Sequence, residues 1–162
     1  MITAVDSNIL LDILGNDPQF YEQSKNLITE HESQGLLIIC PAVYAEILVF
    51  CLKKHGPEKA VSWLDEFLSY FNIRLINYSK EDTARAASAW LNFLSQSKDK
   101  MSCPACGCAN EVVCSDCKQK FRWRNHILTD FFIGAHAENH AEVLLTRDRG
   151  FYKKYFNIKL KA

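Results

Sequence analysis

Nowhere in this 162-residue sequence is there an apolar run of the roughly 18 residues that a membrane-spanning helix needs. No membrane helix is therefore expected. A basic leader is missing too: the chain opens M-I-T-A-V-D-S-N, with an acid almost at once, so no secretory signal is expected and a cytoplasmic setting is. Charge of either sign is not in excess, since Lys plus Arg and Asp plus Glu both number 19. Net charge alone thus does not announce a nucleic-acid binder, although its distribution still can. Cysteines spread across the chain, as in a secreted disulfide scaffold, are also absent. Four of the seven fall instead in Cys103-x2-Cys106-x7-Cys114-x2-Cys117, and Cys40 and Cys51 sit in apolar surroundings as small core residues. What remains is an ordinary 48% apolar content in a length suited to one core with a small appendage.

Short apolar runs at 2–5, 36–40, 73–77, 143–146 and 158–160 read as central strands of a parallel sheet. Helical patterns lie between them. One runs from 8 to 14 and stops at Gly15; Asp17 and Pro18 supply an N-cap and a first-turn proline for another that reaches about 32. Pro41 opens a helix that contains Ala45, Glu46 and Val49 and ends before Gly56-Pro57. A helix over about 58–70 places Val61, Leu64, Phe67 and Leu68 on one face. Apolar residues repeat again at Ala84, Ala87, Trp90, Leu91, Phe93 and Leu94, then the pattern breaks. It returns at Ile127, Phe131, Ile133, Gly134 and Ala137, a helix with a small-residue face that can press close to a sheet. Strands alternating with helices imply crossover units and an α/β fold with helices on both faces of the sheet. The intervening polar stretch, about 98 to 124, is too long for an ordinary loop and reads as an insertion held compact by a metal.

Four acids carry the chemistry. Asp6 follows the first strand directly, Asp148 lies just past the fourth, Glu46 falls in the early turns of the helix after the second, and Asp130 begins the helix that enters the fourth. In open parallel sheets the ligand crevice lies beyond the carboxyl ends of the strands, where strand order reverses, and all four belong to segments that can meet there. Crowded carboxylates raise one another's pKa, so convergence implies a hard divalent cation such as Mg²⁺. A second ion about 3.5–4 Å away would suit a phosphodiester, with Asp130 or Asp148 orienting or deprotonating the attacking water. Ser7, Asn8 and Thr146 are short polar neighbours suited to hydrogen-bonding those carboxylates. Taken singly, Asp6, Asp130 and Asp148 could each be a helix cap, and Asp12, Glu81 and Asp82 are read as solvated or capping acids.

The spans V-D-S-N-I-L-L-D, P-A-V-Y-A-E-I, L-T-D-F-F-I-G-A-H-A and L-L-T-R-D-R-G-F resemble the signature segments of PIN-domain ribonucleases. They are most similar to the short prokaryotic VapC toxins. Order and spacing match over nearly the whole chain outside the insertion. The resemblance implies a three-layer α-β-α domain around about five parallel strands, formed by 1–97 and 125–162. It implies metal-binding acids at Asp6, Glu46, Asp130 and Asp148, with Thr146 as the small polar residue before the last. It also implies a Mg²⁺- or Mn²⁺-dependent endoribonuclease, often dimeric and often blocked by a cognate antitoxin. The inserted cysteines at 98–124 depart from the usual toxins. A PIN family that processes small-subunit rRNA also carries a zinc ribbon, but after the nuclease domain. A non-catalytic RNA- or protein-binding module is the third reading. A phosphatase α/β fold fits less well, because D-S-N lacks that class's second aspartate two residues on.

The spacing of Cys103, Cys106, Cys114 and Cys117 suits tetrahedral thiolate coordination of Zn²⁺, a closed and therefore structural site. Cys108 is a fifth cysteine in the same stretch. The ribbon ends in Lys118, Lys120, Phe121, Arg122, Trp123 and Arg124, where cations alternate with aromatics. Such interleaving suits phosphate contacts and base stacking on single-stranded RNA; packing of the aromatics within the ribbon is the plainer alternative. His136 and His140 are one helical turn apart, but H-A-E-N-H lacks the glutamate placement of a zinc protease, so both are read as surface or helix-end residues. His126, one turn before Asp130, is near enough in sequence to approach a substrate.

Overall fold

The computed structural model describes residues 1–96, 101–102, 108–120 and 128–162. Strand β1 (Ile2–Val5) leads straight into α1 (Ser7–Leu14) and, after a turn, α2 (Tyr21–Gln34). β2 (Leu36–Ile39) leads into α3 (Pro41–His55) and α4 (Ala60–Tyr70), and β3 (Ile73–Leu75) into α5 (Lys80–Gln96). Two very short strands, β4 (Met101–Ser102) and β5 (Ala109–Asn110), form an antiparallel pair of their own. α6 (Thr129–His140), β6 (Val143–Leu145), α7 (Arg149–Tyr155) and β7 (Lys159–Lys161) follow.

The main sheet is parallel throughout, in the order β3-β2-β1-β6-β7. Its middle is apolar on both faces: Ala4, Val5, Leu37, Ile38, Ile39, Leu144 and Leu145 are all buried, as helices on either side require. The outermost strand β7 instead places Lys159 and Lys161 at the edge, where charge discourages pairing with another chain. From β1 the chain steps one way to β2 and β3, then returns past β1 to β6 and β7. With right-handed crossovers this puts α1–α4 on one face and α5–α7 on the other, giving three layers. Strand order therefore reverses between β1 and β6.

Several local expectations are corrected. Pro18 does not open α2. Asp17 Oδ1 accepts from the amides of Gln19 and Phe20 (2.8 and 3.0 Å), so the aspartate caps a turn and the helix starts only at Tyr21. α4 buries Ala60, Leu64 and Leu68 but leaves Val61 exposed, and α5 buries Ala86, Ala89 and Trp90 while Leu91 faces solvent. Leu64, Leu68 and Trp90 thus face inward as expected, while Val61 and Leu91 do not. Gly56, at φ 77 and ψ 167, takes a positive-φ conformation that favours glycine and stops α3. Cys40 and Cys51 are core residues, as expected.

α6 is enclosed on nearly all sides, with Phe131 and every residue from 133 to 137 buried. It packs against β1, and at Gly134 it also meets an aromatic ring: a Cβ there would lie 2.3 Å from the Phe156 ring. Only glycine admits that approach. No helix among the described residues is long and apolar enough to cross a membrane.

Candidate active site

The crevice at the β1/β6 switch point is built by backbone pairing first. The Asp6 amide donates to the Leu145 carbonyl (3.0 Å), which holds the ends of β1 and β6 level. Asp6, 4% exposed, is the N-cap of α1 and accepts from its own neighbour, the Ser7 amide, at 2.8 Å. Its other oxygen accepts from Asn8 Nδ2 (2.6 Å) and Thr146 Oγ1 (2.7 Å). Asn8 also contacts Thr146 Oγ1 (3.2 Å) and accepts from the Arg147 amide (3.2 Å). Thr146 Oγ1 in turn accepts from the Asp148 amide at 3.0 Å. Ser7, Asn8 and Thr146 thus lock the aspartate's orientation from three sides.

The other acids arrive on helices. Pro41 fills the first position of α3, and the next amide, Ala42, donates to the Tyr78 hydroxyl (3.0 Å), which itself donates to Cys40 Sγ (3.3 Å). This anchored start positions Glu46, which accepts from Thr129 Oγ1 (2.7 Å) in the first turn of α6. Asp130 is the next residue. Asp148 caps α7 by accepting from the Phe151 amide at 3.2 Å. Burial grades outward, from Asp6 inside through half-buried Glu46 and Asp130 to exposed Asp148.

The carboxylates feel one another. Asp130 is pushed up to about 6, first by burial and then by the charges of Asp6, Glu46 and Asp148. Burial likewise raises Asp6, with hydrogen bonds from Thr146 and Ser7 opposing and the Glu46 charge adding to the rise. No three of the four have oxygens within 4.8 Å of one another among the described residues. They therefore border a space too wide for three of them to meet at one ion without moving.

Three features of this region were not read from the sequence. The Tyr152 hydroxyl is buried beside Asp6 and finds no partner at ordinary hydrogen-bond geometry; burial and all four acids push its proton affinity up. Its position, four residues after Asp148 on α7, is the only signal the sequence carried. The second is Thr129, adjacent to Asp130. The third corrects Asp12, which is neither solvated nor a cap: it is 3% exposed and bonded by Ser24 Oγ (2.6 Å) and Arg147 (2.8 Å). Arg147 also lies 4.2 Å over the Phe20 ring, which fixes the loop before Asp148.

The histidines need correction as well. His140 ends α6 as expected, but His136 is 1% exposed. Asp82 is a capping residue, reciprocally bonded with Ser79, yet wholly buried, and His140 Nε2 sits 2.9 Å from its Oδ2. Burial pushes the Asp82 carboxyl up, but hydrogen bonds from Ser79, Asn139 and His140 outweigh it and hold the group below the ordinary aspartate range.

In the cysteine-bearing stretch, residues 114–117 form a tight knuckle. Lys118, with φ 59, donates its amide to the Cys114 carbonyl (3.1 Å), and Cys114 donates to Gln119 (2.9 Å) as Val113 pairs with Lys120. The amides of Cys117 and Asp116, and the Cys117 side chain, face the Cys114 sulfur and lower its pKa. Cys103, Cys106, Phe121, Arg122, Trp123, Arg124 and His126 lie outside the described residues. Lys118 Nζ donates to the Ser115 carbonyl (2.6 Å), and Lys120 pairs with Glu111 (2.8 Å), so both amines have partners within the stretch.

The five-stranded parallel sheet with helices on both faces defines a fold class, and the comparisons give that class a family. The PIN-domain family model matches residues 3–101, most of the chain, and the chain belongs to that family. Among solved structures, VapBC2 of Rickettsia felis, bound to a promoter DNA fragment, is similar at 22% identity and TM-score 0.62, over 99% of this chain and 98% of that one. VapBC-1 of nontypeable Haemophilus influenzae is similar at 17% identity and TM-score 0.64, over 99% and 97%. FitAcB of Neisseria gonorrhoeae gives 16% and 0.59, over 100% and 97%. At such identities the likeness is one of fold. No curated protein matches the sequence.

Proposed function

We propose that this chain is a divalent-cation-dependent endoribonuclease, the toxin of a toxin–antitoxin pair, with Asp6, Glu46, Asp130 and Asp148 holding Mg²⁺ or Mn²⁺. The observation that carries the reading is the arrival of four acids, from segments 6 to 148, at one crevice where three of them raise the proton affinity of the fourth. An all-oxygen donor set fits a hard cation. Such an ion, when bound, acidifies a water and neutralises charge building on a phosphodiester. Asn8 and Thr146 keep Asp6 turned toward the crevice. Asp130 or Asp148 orients the attacking water and takes its proton, and the raised affinity of Asp130 suits that task.

The toxin assignment is supported by PIN membership and by a fold shared with VapBC2 and FitAcB. An antitoxin needs an apolar seat, and a groove of about 430 Å³ between α1, α2 and α4 offers one, lined by Leu14, Tyr21, Trp63, Phe67 and Tyr70. A homodimer belongs to the same reading. Residues 98–124 form an insertion in which Cys103, Cys106, Cys114 and Cys117 bind a structural Zn²⁺, and the lowered Cys114 supports this. Lys118, Lys120, Phe121, Arg122, Trp123 and Arg124 then line the RNA path.

The test is cleavage of a structured RNA in Mn²⁺ by the wild type and by Asp6→Asn and Asp130→Asn. Loss in both folded variants is expected; full activity in both would sink the reading. RNA binding without cleavage under any divalent cation would favour the binding-module alternative.

A further inference from the structure

We propose that Asp82, His136 and His140 form a second cation site, of the Zn²⁺ class, which clamps the start of α5 to the end of α6. The oxygen of Asp82 and one ring nitrogen from each histidine lie within 4.8 Å of one another. His136 and His140 stand one turn apart on α6, with ring centroids 4.6 Å apart, so their nitrogens face the same side. Asp82 completes the triangle from the neighbouring helix. Its carboxylate is already oriented, one oxygen by Asn139 Nδ2 (2.7 Å) and the other by the Ser79 amide (2.8 Å).

The observation that points to a ligand is His136. Its Nε2 is fully buried and has no hydrogen-bond partner, although it sits beside a carboxylate and a second imidazole. A buried polar atom without a partner is unfavourable and calls for an explanation. The Ile76 backbone favours a proton on the ring, and with Nε2 unpartnered that proton belongs on Nδ1, which leaves Nε2 with its lone pair free. Metal-bound histidines are commonly held in this way, one nitrogen on a backbone carbonyl and the other on the ion. Closing to bonds of roughly 2.0–2.2 Å asks for side-chain rotations that draw the three donors together.

The donor set selects the ion. Two imidazoles and one carboxylate suit Zn²⁺ and its close relatives, whereas the all-carboxylate crevice suits Mg²⁺. The ion takes the place of the proton that His140 Nε2 shares with Asp82 and gains His136 as a third ligand. Water completes the tetrahedron from the half-exposed His140 side. The clamp would also steady Tyr78, which packs edge-on against His136 (6.0 Å) and caps the helix bearing Glu46.

The test is zinc content of the full chain after dialysis against Zn²⁺ with excess Mg²⁺, independent of RNA cleavage. Cys103→Ser/Cys106→Ser/Cys108→Ser/Cys114→Ser/Cys117→Ser protein serves as the background, so that thiolate-bound zinc does not contribute. One zinc per chain is expected in that background, together with a rise of several degrees in unfolding temperature. His140→Gln and Asp82→Asn should each lower zinc affinity at least tenfold and abolish the rise. Co²⁺ should give tetrahedral bands without thiolate charge transfer, lost in both variants. Equal zinc content with and without His140→Gln, in proteins of unchanged circular dichroism, would overturn the proposal, as would no zinc in the background protein.

Discussion

At one end α6 offers Asp130 to three other carboxylates; less than two turns further on it offers His136 to Asp82. Asp82 is the more deeply buried of the two aspartates, yet its proton affinity falls while that of Asp130 rises. Burial raises both. The difference is in the neighbours: Asp82 is ringed by an amide, an asparagine and a histidine, whereas Asp130 faces like charges and no hydrogen-bond donor strong enough to offset them. A carboxylate satisfied by donors holds a fold together, and one crowded by its own kind calls for a cation. What is unsatisfied at the second end is a neutral imidazole nitrogen, so the two ends suit different metals.

The largest way to break this contrast is chemical. Asp6→Asn and Asp130→Asn should each lower Mn²⁺-dependent RNA cleavage by about 10²-fold or more, whereas His140→Gln, at the other end of the helix, should leave it within about threefold. Thr146→Val removes a hydroxyl that orients Asp6 and should weaken Mn²⁺ binding by roughly ten- to a hundredfold, as read by calorimetry. Gly134→Ala acts on both ends together, because its Cβ meets the Phe156 ring; urea unfolding should show a loss of about 1–3 kcal/mol.

Smallest, but sharpest, is a pair of opposite signs measured in chelator. Asp130, half-buried and raised to about 6, is destabilising once ionised. Its folded form binds more protons than the unfolded chain between the ordinary aspartate pKa and about 6, so stability falls as pH rises through that window. Asp130→Asn should therefore add about 1 kcal/mol at pH 7, after allowing for solvent screening, and nothing below about pH 4. Asp82 is held low, so its contribution is present above the ordinary aspartate pKa and lost as pH falls below it. Asp82→Asn should cost about 1 kcal/mol at pH 7 through the weakened cap, a cost that fades in acid. Two variants with the same sign would erase the comparison.

The acids and strands were legible for one reason: runs such as T-A-V and L-I-I are too short and too apolar for anything but the middle of a parallel sheet, and an acid just past such a run lies at its carboxyl end. Asn8 and Thr146 followed from adjacency. His136 was missed because α6 is enclosed almost all round, so no polar face marks which of its residues meet water. Asp12 was missed because its partner Arg147 is 135 residues away, beyond any local pattern. Tyr152 lies in a seven-residue helix too short for periodicity to show its inner face. Of the cysteine pattern, the half at Cys114 and Cys117 folds as the knuckle that its C-x2-C spacing predicts.

The central claim, that carboxylates gathered at the β1/β6 switch point hold the catalytic cation, is tested most directly by anomalous diffraction from a crystal soaked in Mn²⁺. The account predicts a manganese peak in the crevice bounded by Asp6, Glu46, Asp130 and Asp148, absent from an Asp6→Asn crystal. Strong manganese elsewhere with none between those four carboxylates would contradict it.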